Sequence, residues 1–457
     1  MKVYPFCLPG AALLSAAVFS MSCATAPTEP TAQAPTASAS TAADAGRPVA
    51  TAPQSPIPVS SPQDAVSSDD ALRASQRDQD LMLYESWPEE TTLNNDHIAD
   101  VVPVWLDAIR GAQKSIDFSE YYATPGPALT PVVDAIREAA QRGVKIRFIV
   151  DAKMNRDENA ELPRLLDALP GVEVRVIPYA DIAGGVQHAK YFIVDGKTAY
   201  FGSQNFDWRS LSQISEMGAR LRPHDLVAPL AAIFELDWKL AESPLATVEQ
   251  GTCHPAVTLD YKGEPTTVQT VASPKGVLPC ETLWDLPKIL AMIGEAKHSV
   301  SVQLLNYATL NYDKTTFTEL DDALTAAAGR GVHVRLLVSD WSTKPKNMSD
   351  LKRLAQIPNI ETRMIEIPEH SDGFVPYSRT IHSKFLLVDD DKTWLGTSNW
   401  AGDYFYHSRN VGIIATGRAL NQDLSLSFER YWNSPYAIPV DPATSYPVKD
   451  QSKPPVR

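Results

Sequence analysis

The sequence predicts an α/β protein in which one domain is duplicated within a single chain of 457 residues. Two observations lead to this fold class. The segments HAKYFIVDGKTAYFGSQN and HSKFLLVDDDKTWLGTSN carry histidine, lysine, aspartate and asparagine at the same offsets. Each follows a strand–helix–strand pattern, in which the strands RGVKIRFIVD and RGVHVRLLVS also recur. The copies lie 184 to 194 residues apart, which indicates duplication of a whole domain with helices layered on sheets.

Residues 1–23 are predicted to be a signal peptide. A short basic start precedes the apolar stretch Ala11–Phe19, which is too short to span a membrane in the mature protein. Cys23 ends the sequence SMSC and is a candidate lipidation site, although Ser20 stands where lipoprotein signals usually carry leucine. Two interpretations therefore remain: a lipid anchor on Cys23 in a bacterial envelope, or simple export.

Residues 24–75 are assigned to a disordered linker. Alanine, proline, threonine and serine dominate this segment. Such a composition buries too little apolar surface to offset the entropy lost on ordering.

The first domain is assigned to residues 76–248, the second to residues 285–440, and residues 441–457 to a tail. The first domain has a predicted helix with Thr130 as N-cap and Gly143 at its end. The matching helix runs from Thr318 to Arg330 and is ended by Gly331. The chain has about 370 residues after the leader region, and this length is enough to bury two sizeable apolar cores.

Each domain then has a predicted hairpin. In the first, Tyr191–Val194 and Thr198–Phe201 flank the turn sequence DGK. Residues two apart on a strand face the same side, so His188 and Lys190 point together, with Asn205 beside them across the hairpin. The second hairpin brings His382, Lys384 and Asn399 together in the same way. With one motif in each half, we expect the active site at the interface of the two domains.

Residues 249–284 are assigned to a connector. It contains Cys253 and Cys280, which we expect to form a disulfide in an exported chain. Free thiols are the alternative. Cys253 and His254 lack further ligands at metal-binding spacing, so no zinc site is predicted.

The paired histidines and lysines are what cleavage of a phosphodiester requires. One imidazole attacks phosphorus, the other protonates the leaving oxygen, and the lysines hold phosphate oxygens. The catalytic candidates are therefore His188, His382, Lys190 and Lys384. The candidates for phosphate binding are Asn205, Asn399, Ser203 and Thr397.

Four further residues are candidates for supporting roles. Asp195 and Asp389 lie at the hairpin turns, where turn formation or lysine tethering is favoured over catalysis. Glu216 and Asn410 each follow the motif asparagine by eleven residues. A carboxylate there could orient an imidazole and stabilise its charged form. A solvated charge on a strand is an equal alternative for Glu216.

These motifs resemble those of the phospholipase D superfamily. The stretches NFDWRSLSQISEMG, IFELDW, GTSNWAGDYF and FERYWNSPY are similar to the branch of endolysosomal 5′-exonucleases and poxviral relatives. The resemblance spans roughly residues 86–436. It implies two α/β sandwich domains of the phospholipase D type, a covalent phosphohistidine on His188, and His382 as general acid and then base. It also implies that neither a metal nor another cofactor is needed.

The formal net charge of −14, without a basic run, argues against broad electrostatic capture of long duplexes or anionic membranes. It is compatible with a local pocket for one strand end. We therefore expect a phosphodiesterase whose first candidate substrate is the end of a single-stranded nucleic acid. Phospholipid hydrolysis or head-group exchange is the alternative. A non-catalytic envelope protein is the third hypothesis, against which two complete motifs argue.

Overall fold

The structure, a computed structural model, describes residues 62–454, with side chains from residue 69 onwards. The predicted signal peptide, Cys23 and most of the predicted linker lie outside the described residues. Within residues 62–454, no helix is long and apolar enough to cross a membrane.

The first half forms a mixed sheet with helices. Its strands are β1 (Leu81–Ser86), β2 (Ala99–Asp100), β3 (Ser115–Glu120), β4 (Ala123–Thr124), β5 (Lys145–Asp151), β6 (Val172–Ile177), β7 (Tyr191–Val194), β8 (Thr198–Gly202), β9 (Phe206–Asp207) and β10 (Ile214–Leu221). Its helices are α1 (Pro62–Ser75), α2 (Val101–Gly111), α3 (Thr130–Gln141), α4 (Glu161–Asp167), α5 (Tyr179–Ala183), α6 (Trp208–Ser212) and α7 (His224–Glu242). The order in the main sheet is β2-β1-β10-β8-β7-β3-β5-β6.

The second half repeats this arrangement. Its strands are β11 (Val257–Tyr261), β12 (Glu264–Ser273), β13 (Ser299–Leu304), β14 (His333–Ser339), β15 (Ile360–Ile365), β16 (Thr380–Ile381), β17 (Phe385–Val388), β18 (Lys392–Gly396), β19 (Asn410–Thr416) and β20 (Ala437–Pro439). Its helices are α8 (Leu286–Glu295), α9 (Glu319–Gly329), α10 (Pro345–Leu354), α11 (Gly402–Tyr406) and α12 (Arg418–Trp432). The sheet order is β11-β12-β19-β18-β17-β13-β14-β15-β20. The six strands β19 to β15 match β10 to β6, which confirms the predicted duplicated α/β fold.

Helix and hairpin bounds follow the sequence closely. Gly143 and Gly331 have φ values of +89° and +90°, so each ends its helix in the left-handed conformation that glycine favours. The α3 helix begins at Thr130, but its N-cap is Leu129 because a preceding 3₁₀ turn already places Thr130 in the helical region. The predicted N-cap is therefore one residue late.

Three apolar cores hold the layers together. Two outer cores each lie within one half, between its sheet and its outer helices. The third core is central and contains residues of both sheets together with α7 and α12, for example Ile193, Phe234, Leu387 and Phe428. Because the central core is shared, the two halves form one packed body around their interface.

Residues 62–75, which the sequence assigns to the disordered linker, form α1 in the structure. Arg73 contacts Asp69 at 3.0 Å and Asp107 of α2 at 2.5 Å, and Leu72 packs on the first outer core. Composition alone misses this helix because its contacts are with residues distant in sequence.

The predicted connector and tail are also more structured than the sequence indicates. Residues 249–284 contain β11 and β12, and β12 pairs with β19 along its length. The Cys253–Cys280 disulfide closes this segment over a separation of 27 residues. In the tail, Lys449 contacts Asp340 at 2.8 Å. In the structure, the strands of the predicted connector extend the second sheet, and the predicted tail packs against the second half.

Candidate active site

The two hairpins hold the motif residues at their open ends. The Gly202 N–H donates to the Lys190 carbonyl at 3.1 Å, and the Gly396 N–H donates to the Lys384 carbonyl at the same distance. The hairpin ladder thus extends past the strand ends as far as the lysines. Each histidine lies just beyond the ladder.

Asp195 and Asp389 lie at the opposite ends of these hairpins, in the left-handed conformation with φ of +53° each. The Asp195 carboxylate accepts three backbone N–H groups of residues 113–115 at 2.6 to 3.2 Å. Asp389 accepts from residues 297–299 in the same way. Burial opposes ionisation, but these donors hold the pKa of both carboxyls below its usual value. Both aspartates tether the start of a neighbouring strand and touch neither motif lysine.

Each histidine backbone is held by the opposite half of the chain. The His188 N–H donates to the Arg409 carbonyl at 2.9 Å, and the His382 N–H donates to the Ser215 carbonyl at 2.7 Å. The short β16 joins the first sheet, pairing in parallel with β10 at Ile214 and Ser215. The active site therefore requires both halves.

The imidazole partners also cross between halves, and they differ chemically. His188 Nδ1 lies 2.9 Å from Asn410 Oδ1, and His382 Nδ1 lies 2.8 Å from Glu216 Oε2. Sequence spacing identified Glu216 and Asn410 as a corresponding pair, but not that each serves the other half's histidine.

The orientation of Asn410 fixes the tautomer of His188. Asn410 Nδ2 donates to the carbonyls of Tyr404 and Ser408 at 2.9 and 3.2 Å, so Oδ1 must face the imidazole. His188 Nδ1 is then the protonated nitrogen, and Nε2 carries the free lone pair. A nucleophile needs such a lone pair.

A cavity of about 530 Å³ lies at the junction of the halves. His188, His382, Asn205 and Asn399 line it. The Oδ1 atoms of both asparagines have no hydrogen-bond partner among the described residues. These amides are available to a bound group.

Lys190 and Lys384 lie behind the histidines, almost completely buried, and each donates to the backbone carbonyl of the histidine two residues before it. Burial and the charge of Lys384 hold the pKa of Lys190 well below its usual value. Burial also lowers the pKa of Lys384 to about 7, although Glu216 opposes this shift.

The same crowding of positive charge affects the histidines. Burial, with the lysines, holds the pKa of His188 and of His382 well below the usual value. Burial raises the pKa of Glu216 to about 8, although Lys384 opposes this shift. An anion in the cavity would favour the charged forms of the basic groups, so the site is suited to a phosphate.

Ser203 and Thr397, the remaining candidates for phosphate binding, form hydrogen bonds with the strands beside the site. The Ser203 hydroxyl accepts the Met217 N–H at 3.0 Å. The Thr397 hydroxyl donates to Asn410 Oδ1 at 2.9 Å and accepts the Val411 N–H at 3.1 Å. Neither lines the cavity, and both contact the adjoining strands, so their contact with phosphate stays a prediction.

Aromatic rings around the cavity include some that the sequence did not reveal. The rings of Tyr121 and Tyr404 lie 5.0 and 4.9 Å from the His188 ring, centre to centre. Trp341 and Tyr377 also line the cavity. Tyr121 directly follows β3, so its position after a central strand was the signal that could have identified it.

One cluster of metal-binding residue types lies outside this site. His254 Nδ1 is 2.9 Å from Asp225 Oδ1, and His224 lies beside them. None of the three lines the cavity described above. Sequence spacing around His254 did not reveal this grouping because Asp225 is 29 residues away.

The duplicated sandwich and the two His-Lys-Asn sets define a class of protein. A family model described as "Cardiolipin synthase, PLD-like domain" matches residues 105–238 and 289–432. The chain belongs to this phospholipase D-like family and is a phosphodiesterase of the phospholipase D superfamily.

Individual relatives agree with the branch that the motifs indicated. The chain is 30% identical to "5′-3′ exonuclease PLD4" of Mus musculus over 412 residues, 79% of this chain and 80% of the relative. It is 32% identical to "Virion nicking-joining enzyme" of Vaccinia virus (strain Western Reserve) over 360 residues, 73% of this chain and 83% of the relative. Phosphatidylserine synthase of Haemophilus influenzae has the same fold, with a TM-score of 0.59 at 11% identity over 81% of this chain and 91% of that one.

Proposed function

We propose that this protein hydrolyses phosphodiester bonds through a covalent phosphohistidine on His188. The observation that carries the proposal is the unequal pairing of the two imidazoles. His188 has a neutral amide partner that leaves Nε2 free, whereas His382 faces the carboxyl of Glu216, which favours the protonated imidazole when that carboxyl is ionised. The former suits a nucleophile and the latter a general acid.

The reaction then has two steps. His188 Nε2 forms a bond to phosphorus while the P–O bond to the leaving group breaks, and His382 gives its proton to the leaving oxygen. Water next attacks phosphorus and gives a proton to His382, and the His188–phosphorus bond breaks. Asn205 and Asn399, which line the cavity, donate to the phosphate oxygens in both steps, and the buried charges of Lys190 and Lys384 stabilise the negative charge of the phosphate.

The first candidate substrate is the end of a single-stranded nucleic acid. It is supported by the activities for which the exonuclease and nicking-joining relatives are named. The aromatic rings that line the cavity offer stacking surfaces for a base. Phospholipid, the alternative substrate, would use the same phosphate site.

A side-by-side assay tests both substrates. Purified protein is given a 5′-hydroxyl single-stranded oligonucleotide and, separately, phosphatidylcholine vesicles, each with excess EDTA. We expect cleavage of the oligonucleotide, and survival of activity in EDTA because the lysines supply the positive charge. Turnover of phosphatidylcholine alone would contradict the nucleic-acid substrate, and complete loss in EDTA with rescue by a divalent ion would contradict the role of the lysines.

We further propose that the protein is exported and anchored in the bacterial envelope through a lipid on Cys23. The motivation is the apolar stretch followed by the sequence SMSC and a long segment rich in alanine, proline, threonine and serine. Such a segment would act as a tether between the membrane and the enzyme.

A further inference from the structure

A second cavity adjoins the active site. It has a volume of about 550 Å³ and is formed by the second domain and its C-terminal residues. Trp341, Tyr377 and Tyr404 line both cavities. A polymeric substrate whose scissile phosphate lies between the histidines would therefore place its next monomer in this cavity.

Two lysines give this cavity unpaired positive charge. Lys344 and Lys346 are exposed and line it, and neither has a carboxylate partner among the described residues. The lining carboxylates contact other groups instead: Asp403 accepts the Tyr312 N–H at 2.8 Å, and Asp450 accepts the Ser452 N–H at 3.0 Å and lies 3.5 Å from Lys453 Nζ. Lys346 Nζ lies over the Tyr312 ring at 5.2 Å from its centre and 3.5 Å from the Leu310 carbonyl, and neither contact neutralises its charge, so both lysines can meet an anion.

A buried amide oxygen calls for a ligand with a hydrogen-bond donor, which a nucleobase carries and a phosphate anion does not. Asn347, in the first turn of α10, lines the cavity and is 4% exposed. Its side chain makes no hydrogen bond within residues 62–454, and its Oδ1 is fully buried without a partner. A buried polar group without a partner is costly, and a ligand with polar groups would offset that cost.

Exposed aromatic rings stand at the same place. Tyr312 is 77% exposed and Tyr377 is 50% exposed, and both line the cavity. The Trp341 ring packs edge-on against Tyr377 at 6.3 Å between centres. The backbone of Tyr377 is fixed by its N–H, which donates to the Gln451 carbonyl at 2.9 Å. Lysines interleaved with exposed rings are the usual surface for a single strand, since bases stack while phosphates meet positive charge.

We propose that this second cavity binds the phosphate and base next to the scissile phosphate, so that the enzyme selects a polynucleotide over a substrate with one phosphate. Lys344 and Lys346 bind the second phosphate, and Tyr312 and Tyr377 stack on the base. This inference rests on the proposed nucleic-acid substrate and goes further, because it assigns a site beyond the catalytic histidines.

The test compares the double variant Lys344→Gln/Lys346→Gln with wild type on two substrates. One is a short oligothymidylate, and the other is thymidine 3′-(p-nitrophenyl phosphate), which has a single phosphate. We expect KM for the oligothymidylate to rise about tenfold with kcat unchanged, since two phosphate contacts are lost. Kinetic constants for the single-phosphate substrate should stay as in wild type.

Salt dependence gives an independent readout. Binding of a 3′-fluorescein-labelled oligothymidylate is measured with His188→Ala protein, which should not turn it over. Adding the two lysine substitutions should reduce the slope of log K against log salt by about 1.4, which is about 0.7 for each lost contact to a single strand.

The matched control is Lys145→Gln/Lys197→Gln, which removes two exposed lysines that line neither cavity. It should match wild type in every measurement. Cleavage of oligothymidylate with the same KM and salt slope in the cavity variant would overturn the second site and leave the proposed function intact. Cleavage of only the single-phosphate substrate by wild type would overturn both.

Discussion

At the scale of single residues, the two histidines have identical motifs but different partners. Asn410 faces His188, and Glu216 faces His382. The motif offsets predicted which residues gather, because a hairpin fixes its own register. They did not predict the exchange of partners, which depends on contacts between strands about 170 to 220 residues apart.

Changing the residue that faces each imidazole, from charged to neutral or the reverse, tests the roles of the two histidines. Glu216→Gln removes the carboxyl whose ionised form favours protonated His382, so kcat on an oligonucleotide should fall about tenfold to a hundredfold. The loss should shrink on a p-nitrophenyl ester, whose leaving group needs little protonation. Steady-state kinetics give kcat for both substrates. An equal fall in kcat on the oligonucleotide and on the p-nitrophenyl ester would argue against His382 as the general acid.

Asn410→Asp is the complementary change. A carboxylate beside His188 should raise its pKa, so the free nucleophile is lost at acidic pH. The acidic limb of kcat/KM should move upward by about one pH unit. An unchanged acidic limb, measured on folded protein, would count against His188 as the nucleophile.

The alkaline limb should report on Lys384. Its pKa is lowered to about 7 by burial, so its charge is present below that pH and lost as pH rises through it. Phosphate binding needs this charge, and kcat/KM of wild type should therefore decline above about pH 7. The measurement is kcat/KM against pH with one phosphodiester substrate. If kcat/KM stays constant up to about pH 9, Lys384 remains charged in the free enzyme and the prediction is wrong.

At the scale of elements, the hairpins and the short β16 assemble the site. The hairpins were predictable because each has an apolar run, a turn and a second apolar run. The pairing of β16 with β10 was not, since a strand of two residues has no periodicity in the sequence. The buried pair of Arg409 and Asp237 of α7, at 2.7 Å, adds a second link between the halves at the residue that holds His188.

The turn aspartates should matter for stability and not for chemistry. Asp195→Ala and Asp389→Ala each remove the acceptor of three backbone N–H groups, and each should lower the free energy of unfolding by about 2 kcal/mol. Folded protein should keep its kcat. Asp181→Ala, an exposed carboxylate without a hydrogen-bond or ion-pair partner among the described residues, is the control. Denaturant unfolding and activity are measured together, and a large loss of kcat without loss of stability would assign the aspartates to catalysis instead.

At the scale of the whole molecule, the duplication was visible in the sequence but the extent of each domain was not. β12 belongs to the second sheet although it lies in a segment without a counterpart motif, and the tail reaches the second cavity through Lys449 and Gln451. Both depend on long-range pairing, which composition and local patterns do not record.

The proposed lipid anchor on Cys23 determines where the whole molecule is located. If Cys23 is the lipidated first residue of the mature protein, Cys23→Ser should release the enzyme from membranes or leave it unprocessed, with kcat unchanged. Several acyl chains hold a protein firmly, whereas one holds it only marginally. Mass spectrometry of the mature N-terminus is the measurement. An unmodified N-terminus beyond Cys23 would mean simple export.

The proposed mechanism places a covalent intermediate on His188, in a site shared by both halves. The most direct measurement is base-quenched peptide mass spectrometry after reaction with a p-nitrophenyl phosphodiester, whose leaving group needs no acid. In His382→Ala, the tryptic peptide of residues 176–190 should accumulate a phosphoryl adduct on His188, because the second step lacks its base. In His188→Ala, the peptide of residues 380–384 should carry none. An adduct on His382, or none on either histidine in enzyme that still turns over, would contradict the account.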